Sequence, residues 1–208
     1  MKKASLVVLI SGNGSNLQAL IDAVEAETMP AEILAVVSNT RDAYGLERAR
    51  KAGIPVIVKP KLKVQERQAY DAELAEIVLA YHPDLVILAG WMRILTLSFI
   101  KHFPGRIINL HPALPGTFAG THAIERAWQA FQLGEIEHTG IMVHLVPDEA
   151  VDLGPVLSQR QVEIKSTDTL EDLEQRVHAC EHELLVETIS SFILQMEEKD
   201  AKSVTVGL

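Results

Sequence analysis

The sequence predicts an α/β protein: a doubly wound, mostly parallel sheet with helices on both faces. Three observations carry this reading. Short apolar runs without polar alternation, Ala4–Ser11 and Asp84–Ala89 among them, read as strands buried on both sides. Segments with apolar residues at helical spacing separate those runs. A glycine-rich turn follows the first run directly, at the place where open α/β sheets bind ligands.

The elements follow in order. Ala4–Ser11 is the first strand, and the cut at Gly12-Asn13-Gly14-Ser15-Asn16 makes it too short for a signal peptide. A helix is expected over Leu17–Glu25 and a second strand over Ile33–Ser38. Tyr44–Ala52 reads as a helix stopped by Gly53, with Pro55 beyond, and Pro55–Val58 as a third strand. Tyr70, Leu74, Ile77, Val78 and Tyr81 share one face of a helix over Val64–Tyr81, which Pro83 ends. Asp84–Ala89 and Arg106–Leu110 are the fourth and fifth strands, and His111–Gly120 is a loop rich in Pro and Gly. A helix over Ala123–Leu133 and strands over Gly140–Val146 and Val156–Ile164 come next. A last helix over Leu170–Gln195 carries one apolar stripe, from Leu170, Leu173 and Val177 to Phe192 and Ile193. Residues 1–198 read as a single domain and 199–208 as a polar, frayed tail.

Composition narrows the function. The 208 residues are 48% hydrophobic and 23% charged, as in an ordinary globular chain. Nineteen Lys and Arg against 28 Asp and Glu give a net charge of −9, which argues against broad binding to nucleic acid or to an anionic membrane. A local cluster can still hold a small anion. One cysteine, Cys180, leaves no intramolecular disulfide and no multi-cysteine zinc site, and its place on the apolar stripe reads as core packing. Without an apolar span of membrane length, the expected location is the cytoplasm.

Three stretches can carry chemistry. In Gly12-Asn13-Gly14-Ser15-Asn16 a turn opens a helix, whose free N–H groups suit a phosphate. Leu17 replaces the third glycine of a dinucleotide fingerprint, and no Lys-Ser/Thr follows for a Walker-type site. In Asn109-Leu110-His111-Pro112, alternation puts the amide and the imidazole on one side of the strand, as an oxyanion-binding pair or as an ordinary strand-end histidine. In Asp148-Glu149-Ala150-Val151-Asp152-Leu153-Gly154-Pro155, Asp152 is framed by apolar residues; a carboxylate near His111 would raise its pKa and hold its tautomer. Met92-Arg93-Ile94-Leu95 reads equally as the lining of a pocket for a flat ligand or as core with a surface arginine. Glu181-His182 reads as a solvated pair, and His111, His122 and His144 lack the spacing of a metal site.

Four colinear motifs resemble one family. Ser11-Gly12-Asn13-Gly14-Ser15-Asn16-Leu17-Gln18, Leu88-Ala89-Gly90-Trp91-Met92-Arg93-Ile94-Leu95, Asn109-Leu110-His111-Pro112 and Val151-Asp152-Leu153-Gly154-Pro155 are similar to those of the folate-dependent formyltransferases, in particular the phosphoribosylglycinamide formyltransferase family. The resemblance spans about Ala4–Gln195. It implies a Rossmann-like formyltransferase fold and transfer of a formyl group from 10-formyltetrahydrofolate, without a metal, to the amine of 5'-phosphoribosylglycinamide in purine biosynthesis. It implies that Asn109, His111 and Asp152 are catalytic, and that Gly14, Ser15, Asn16 and Glu181 bind the ribonucleotide. Arg67, Met92, Arg93, Ile94, Leu95 and Val146 would hold the folate. Against the family pattern the stretch His111-Pro112-Ala113-Leu114-Pro115 reads one residue shorter and the loop from His144 to Asp152 one residue longer. The expected partners are small molecules, with no nucleic acid and no membrane, and a homodimer is open. Also open are a formyltetrahydrofolate hydrolase, a methionyl-tRNA or sugar formyltransferase, an NADP-binding reductase and a non-catalytic phosphosugar-binding module.

Overall fold

The computed structural model describes residues 3–206, with side chains as far as Lys199. The first half runs β1 (Ala4–Ile10), α1 (Ser15–Glu25), β2 (Ala31–Ser38), α2 (Gly45–Lys51), β3 (Val56–Val58), α3 (Arg67–Leu79) and β4 (Leu85–Leu88). The second half runs α4 (Leu97–Ile100), β5 (Ile107–His111), α5 (Ala123–Gln132), β6 (His138–Leu145), β7 (Val156–Glu163) and α6 (Leu170–Val206). The seven strands form one sheet in the order β3-β2-β1-β4-β5-β6-β7. β1 to β5 are parallel, while β6 and β7 are antiparallel additions. The mostly parallel, doubly wound sheet is as the sequence predicts.

The strands are continuously apolar because both faces of the sheet are covered. Leu6, Val8 and Ile10 of β1 face one core with Leu17, Leu20 and Ile21 of α1 and Val177, Leu184 and Ile189 of α6. Val7 and Leu9 face a second core with Tyr70, Leu74 and Val78 of α3 and Phe99 of α4. Each such side chain contributes about 1.5–3 kcal/mol when fully buried. Alternation along β1 therefore decides only which helix layer a residue meets, since neither layer is water.

Local signals set the ends of several elements. Thr169 and Asp172 form a capping box at the start of α6: Asp172 N–H donates to Thr169 Oγ1 at 3.2 Å and Thr169 N–H to Asp172 Oδ2 at 2.8 Å. Arg176 grips Asp168 with two bonds of 2.6 and 2.7 Å, which holds the Asp168 carboxyl down at about 2.

Three expectations need correction, and one helix was not expected. α3 starts at Arg67 rather than Val64, which is 91% exposed and has nothing to pack against. α4, with four residues, has too few apolar repeats to be read from spacing. β5 runs one residue past the expected bound, to His111, which keeps the strand-end place that the alternation of Asn109 and His111 requires. α6 runs past Gln195 to Val206, so most of the expected frayed tail is helical backbone; residues 207–208 lie outside the described region. Among the described residues no helix is long and apolar enough to cross a membrane.

Candidate active site

The chain leaves β1 in one direction to β2 and β3 and returns in the other to β4 and β5, which opens a crevice at the carboxyl ends of β1 and β4. The turn after β1 lies there. It is tied to the loop after β4 by Ser11 N–H to the Gly90 carbonyl at 3.1 Å, and by Met92 N–H to Ser11 Oγ at 2.8 Å.

Gly14 precedes α1 with φ 74°, and no side chain caps the helix. The first N–H groups of α1 therefore point to a ligand site with no internal competitor. A Cβ on Gly14 would lie 2.6 Å from Gly45 Cα, so the turn and the start of α2 touch backbone to backbone. Arg48 of α2 fixes the turn further. Its Nε donates to the Asn13 carbonyl at 2.9 Å, Nη2 to Asn13 Oδ1 at 3.0 Å and Nη1 to Gln18 Oε1 at 3.2 Å, and its guanidinium lies over the Tyr44 ring. The sequence signal for Arg48 was absent, because its contacts reach back 35 residues.

The second cluster sits where β5 meets β6. Asn109 pairs with His144 across the strands, and His111 follows two residues on. The loop after β6 returns Asp152 to them, with φ 55°. Asp152 Oδ2 accepts from Gly120 N–H at 2.9 Å and lies 3.3 Å from His111 Nδ1. Asp152 Oδ1 accepts from Asn109 Nδ2 at 3.2 Å and lies 3.5 Å from His144 Nε2. His144 Nδ1 faces the Leu145 carbonyl at 2.9 Å, so in the neutral ring that nitrogen carries the hydrogen. Nε2 is then an acceptor, which Asn109 Nδ2 meets at 3.0 Å. The predicted trio does come together, and His144 joins it. Sequence reasoning considered His144 only as a metal ligand, because the β5–β6 register is invisible in the chain. His122 is apart, on the surface beside Glu125.

Both ring nitrogens of His111 face acceptors, Asp152 Oδ2 at 3.3 Å and the Phe118 carbonyl at 3.2 Å. Only the imidazolium has a hydrogen for each. Burial opposes that charge and prevails, so the pKa of His111 lies below the ordinary histidine value. For Asp152, burial works upward, but the bond from Gly120 N–H and the facing His111 imidazole bring its pKa below the usual carboxylate range. The resting cluster thus favours a carboxylate beside a neutral imidazole.

Glu181 lies on α6, 4% exposed, and its Oε2 is 2.7 Å from His178 Nδ1. That bond raises the pKa of His178. The charge of Glu181 also acts on His111, the smallest of the influences on that ring. The reading of Glu181-His182 as a solvated pair fails, because α6 turns Glu181 inward.

The mouth of the cleft is formed by the loop after β4 and the start of α3. Met92 and Ile94 are exposed, whereas Leu95 packs in the second core and Val146 leans on it. Arg93 lies over the Tyr70 ring, with a buried Nε that has no hydrogen-bond partner. Arg67 Nη2 is likewise buried and unbonded, 3.7 Å from Glu149 Oε2. Two guanidinium donors are thus available at the mouth. A surface depression of about 480 Å³ lined by Leu114, Phe118 and Ile136 borders the loop below His111, but the convergent polar groups lie in the cleft.

Comparison with known proteins points the same way. The formyl transferase family matches residues 4–189. The chain is 50% identical over 202 residues to phosphoribosylglycinamide formyltransferase of Schizosaccharomyces pombe, covering 91% of this chain and 97% of that one. It is 44% identical over 200 residues to the protein of that name from Escherichia coli, covering 95% and 92%. Among solved structures, glycinamide ribonucleotide transformylase 1 from Symbiobacterium toebii superposes with a TM-score of 0.85 at 41% identity, covering 92% of this chain and 88% of that chain.

Proposed function

Since the chain belongs to the formyl transferase family, we propose that it is a phosphoribosylglycinamide formyltransferase of purine biosynthesis, moving a formyl group from 10-formyltetrahydrofolate to the glycinamide amine. One observation carries the assignment beyond the family: an uncapped helix start suited to a phosphate opens into the same crevice as the Asn109–His111–Asp152 cluster. The free amides of Ser15 and Asn16 would take the phosphate of the ribonucleotide. Glu181 would take its polar glycinamide end. Arg67 and Arg93, each with an unbonded buried donor, and the exposed Met92 and Ile94 fit a donor that has a flat apolar body and carboxylates. Leu95 and Val146 support that wall.

The amine nitrogen attacks the formyl carbon, forming a C–N bond and a tetrahedral oxyanion. That bond is kept, the carbon's bond to the folate nitrogen breaks, and the proton lost by the amine ends on the folate nitrogen. In the resting site both hydrogens of the Asn109 amide are engaged, by Asp152 and His144. The amide must release one of them to the oxyanion. As negative charge grows, it raises the proton affinity of His111, whose two facing acceptors already suit the imidazolium. His111 would take up the proton that the amine loses and turn from the Phe118 carbonyl to donate to the oxyanion, and losing one such donor typically costs about 2.7–4 kcal/mol in the barrier. Asp152 would hold the imidazolium and steer the proton between the two nitrogens.

The test is a formyl-transfer assay, following 10-formyltetrahydrofolate by absorbance with and without glycinamide ribonucleotide. Loss of the donor only with the ribonucleotide is the expected result. Loss without it makes the chain a hydrolase, and no loss in either case overturns the proposal.

A further inference from the structure

The segment that delivers Asp152 has few ties of its own. Val146 N–H bonds to the Ile107 carbonyl at 3.0 Å and Leu145 N–H to the Pro155 carbonyl at 2.9 Å, which closes the base of the loop. Gly154 packs so tightly at that base that a Cβ there would lie 1.8 Å from the Leu145 carbonyl oxygen. Toward its tip, Asp148 Oδ1 accepts from Ala150 N–H at 2.8 Å, a bond within the loop. Glu149 reaches the opposite wall. Its Oε1 accepts from Leu97 N–H at 2.9 Å, and its Oε2 faces Arg67 at 3.7 Å.

These two contacts differ in kind. The Leu97 bond is short and uses an amide at the start of α4, which has no donor-side partner within the helix. The Arg67 contact is too long for a hydrogen bond, and Arg67 Nη2 makes none. Both side chains are about 40% exposed (42% and 41%), so solvent screens their attraction. The first contact is a tether, and the second is a charge balance that a better acceptor can take over. The wall beyond Leu97 is itself firm: the buried Asp71 carboxylate accepts from Thr96 N–H at 2.7 Å, and the Tyr70 hydroxyl donates to the Lys59 carbonyl at 2.5 Å.

We propose that Glu149 is a positioning residue that straps the Asp152 loop across the cleft to Leu97, and that it yields Arg67, but not Leu97, to a carboxylate of the formyl donor. This rests on the function proposed above, since it takes the donor to be the carboxylate-bearing ligand at Arg67. Glu149 then acts twice through other residues. It holds Asp152 in register with His111, and it sets how strongly Arg67 attracts the donor.

The experiment compares Glu149→Gln and Glu149→Ala with the parent in steady-state kinetics, with each substrate varied in turn. Ala removes the tether, and a loosened Asp152 lowers kcat by about tenfold or more. Gln keeps an oxygen for Leu97 N–H and restores most of that loss. Gln also removes the competing charge, so KM for 10-formyltetrahydrofolate falls by about two- to fivefold, the range of one screened ion pair, while KM for the ribonucleotide is unchanged. Equal losses of kcat in Gln and Ala overturn the tether. A donor KM in Gln that is unchanged or higher overturns the competition at Arg67. Parental kinetics in Ala overturns both. Hydrogen exchange of the Leu97 amide, protected in the parent and in Gln but exposed in Ala, reads the strap without turnover. It separates failure of the strap from failure of the formyl-transfer assignment, which shows as no ribonucleotide-dependent loss of the donor by the parent.

Discussion

Asp152 has a left-handed backbone, φ 55°, which costs a residue with a Cβ about 1–2 kcal/mol, less for Asp and Asn than for others. Its bonds to Gly120 N–H and Asn109 Nδ2 offset that cost and aim the carboxylate at His111. Asn at this position keeps the tolerance for positive φ and an oxygen for Gly120, but loses the charge that holds an imidazolium. We predict that Asp152→Asn folds and binds the ribonucleotide with parental affinity by calorimetry, while kcat falls by about 10²- to 10⁴-fold. Near-parental turnover would remove Asp152 from the proton path. At this scale the sequence was half legible. Asn109 and His111 share a side by alternation alone, and the apolar frame of Asp152 marked it out. His144, Arg48 and Glu149 act through partners 35, 35 and 52 positions away, so no local pattern announces them.

Among the elements, the strands were legible because burial on both faces leaves an unbroken apolar run. α4 and the true start of α3 were not, because each is decided by packing against the loop after β4 and not by its own period. The contact of greatest functional weight is that between the turn after β1 and the start of α2. Gly45 N–H bonds to the Gly12 carbonyl at 3.1 Å, so α2 buttresses the turn from behind. Ala at position 14 would meet a backbone atom at 2.6 Å and strain a positive φ as well. We predict that Gly14→Ala raises KM for the ribonucleotide by at least about tenfold, a cost of one to two kcal/mol in the turn, with the donor KM unchanged. A parental ribonucleotide KM would show that the turn does not hold the phosphate.

For the whole molecule, acid is the informative perturbation. Burial lowers the pKa of His111 and His182, so below about pH 6.5 the unfolded chain binds protons that the native fold resists, and stability falls with pH. His178 is raised by Glu181 and has the opposite sign: its contribution is full below the ordinary histidine value and is lost as pH rises through its native one. Asp152 and Asp168 are lowered, so their contributions persist above the ordinary carboxylate range and vanish as pH drops through it. The thermal midpoint should therefore decline gently from about pH 7 to 5 and steeply below about pH 4. In His178→Gln the gentle part should steepen, because its counterweight is gone. A midpoint that rises as the parent is acidified from pH 7 to 5 would contradict the neutral, buried His111 on which the proposed proton path depends. The overall doubly wound architecture was readable from the alternation of strand and helix patterns. The antiparallel addition of β6 and β7 was not, since strand direction depends on how the long connections run.

The closeness of Gly14 and Gly45 also bears on how this chain can drift. A methyl group at position 45 would press on the end of the Ile10 side chain, 2.5 Å away, and would push Gly14 Cα, at 3.2 Å, back by a few tenths of an ångström. Shortening Ile10 to Val relieves most of that, so position 45 has a two-step mutational exit. Position 14 has none: its obstacle is the neighbour's backbone, and Gly45 is already the smallest residue available. The same contact is thus permissive from one side and irreversible from the other, and descendants of this sequence can change the helix residue long before they can change the turn.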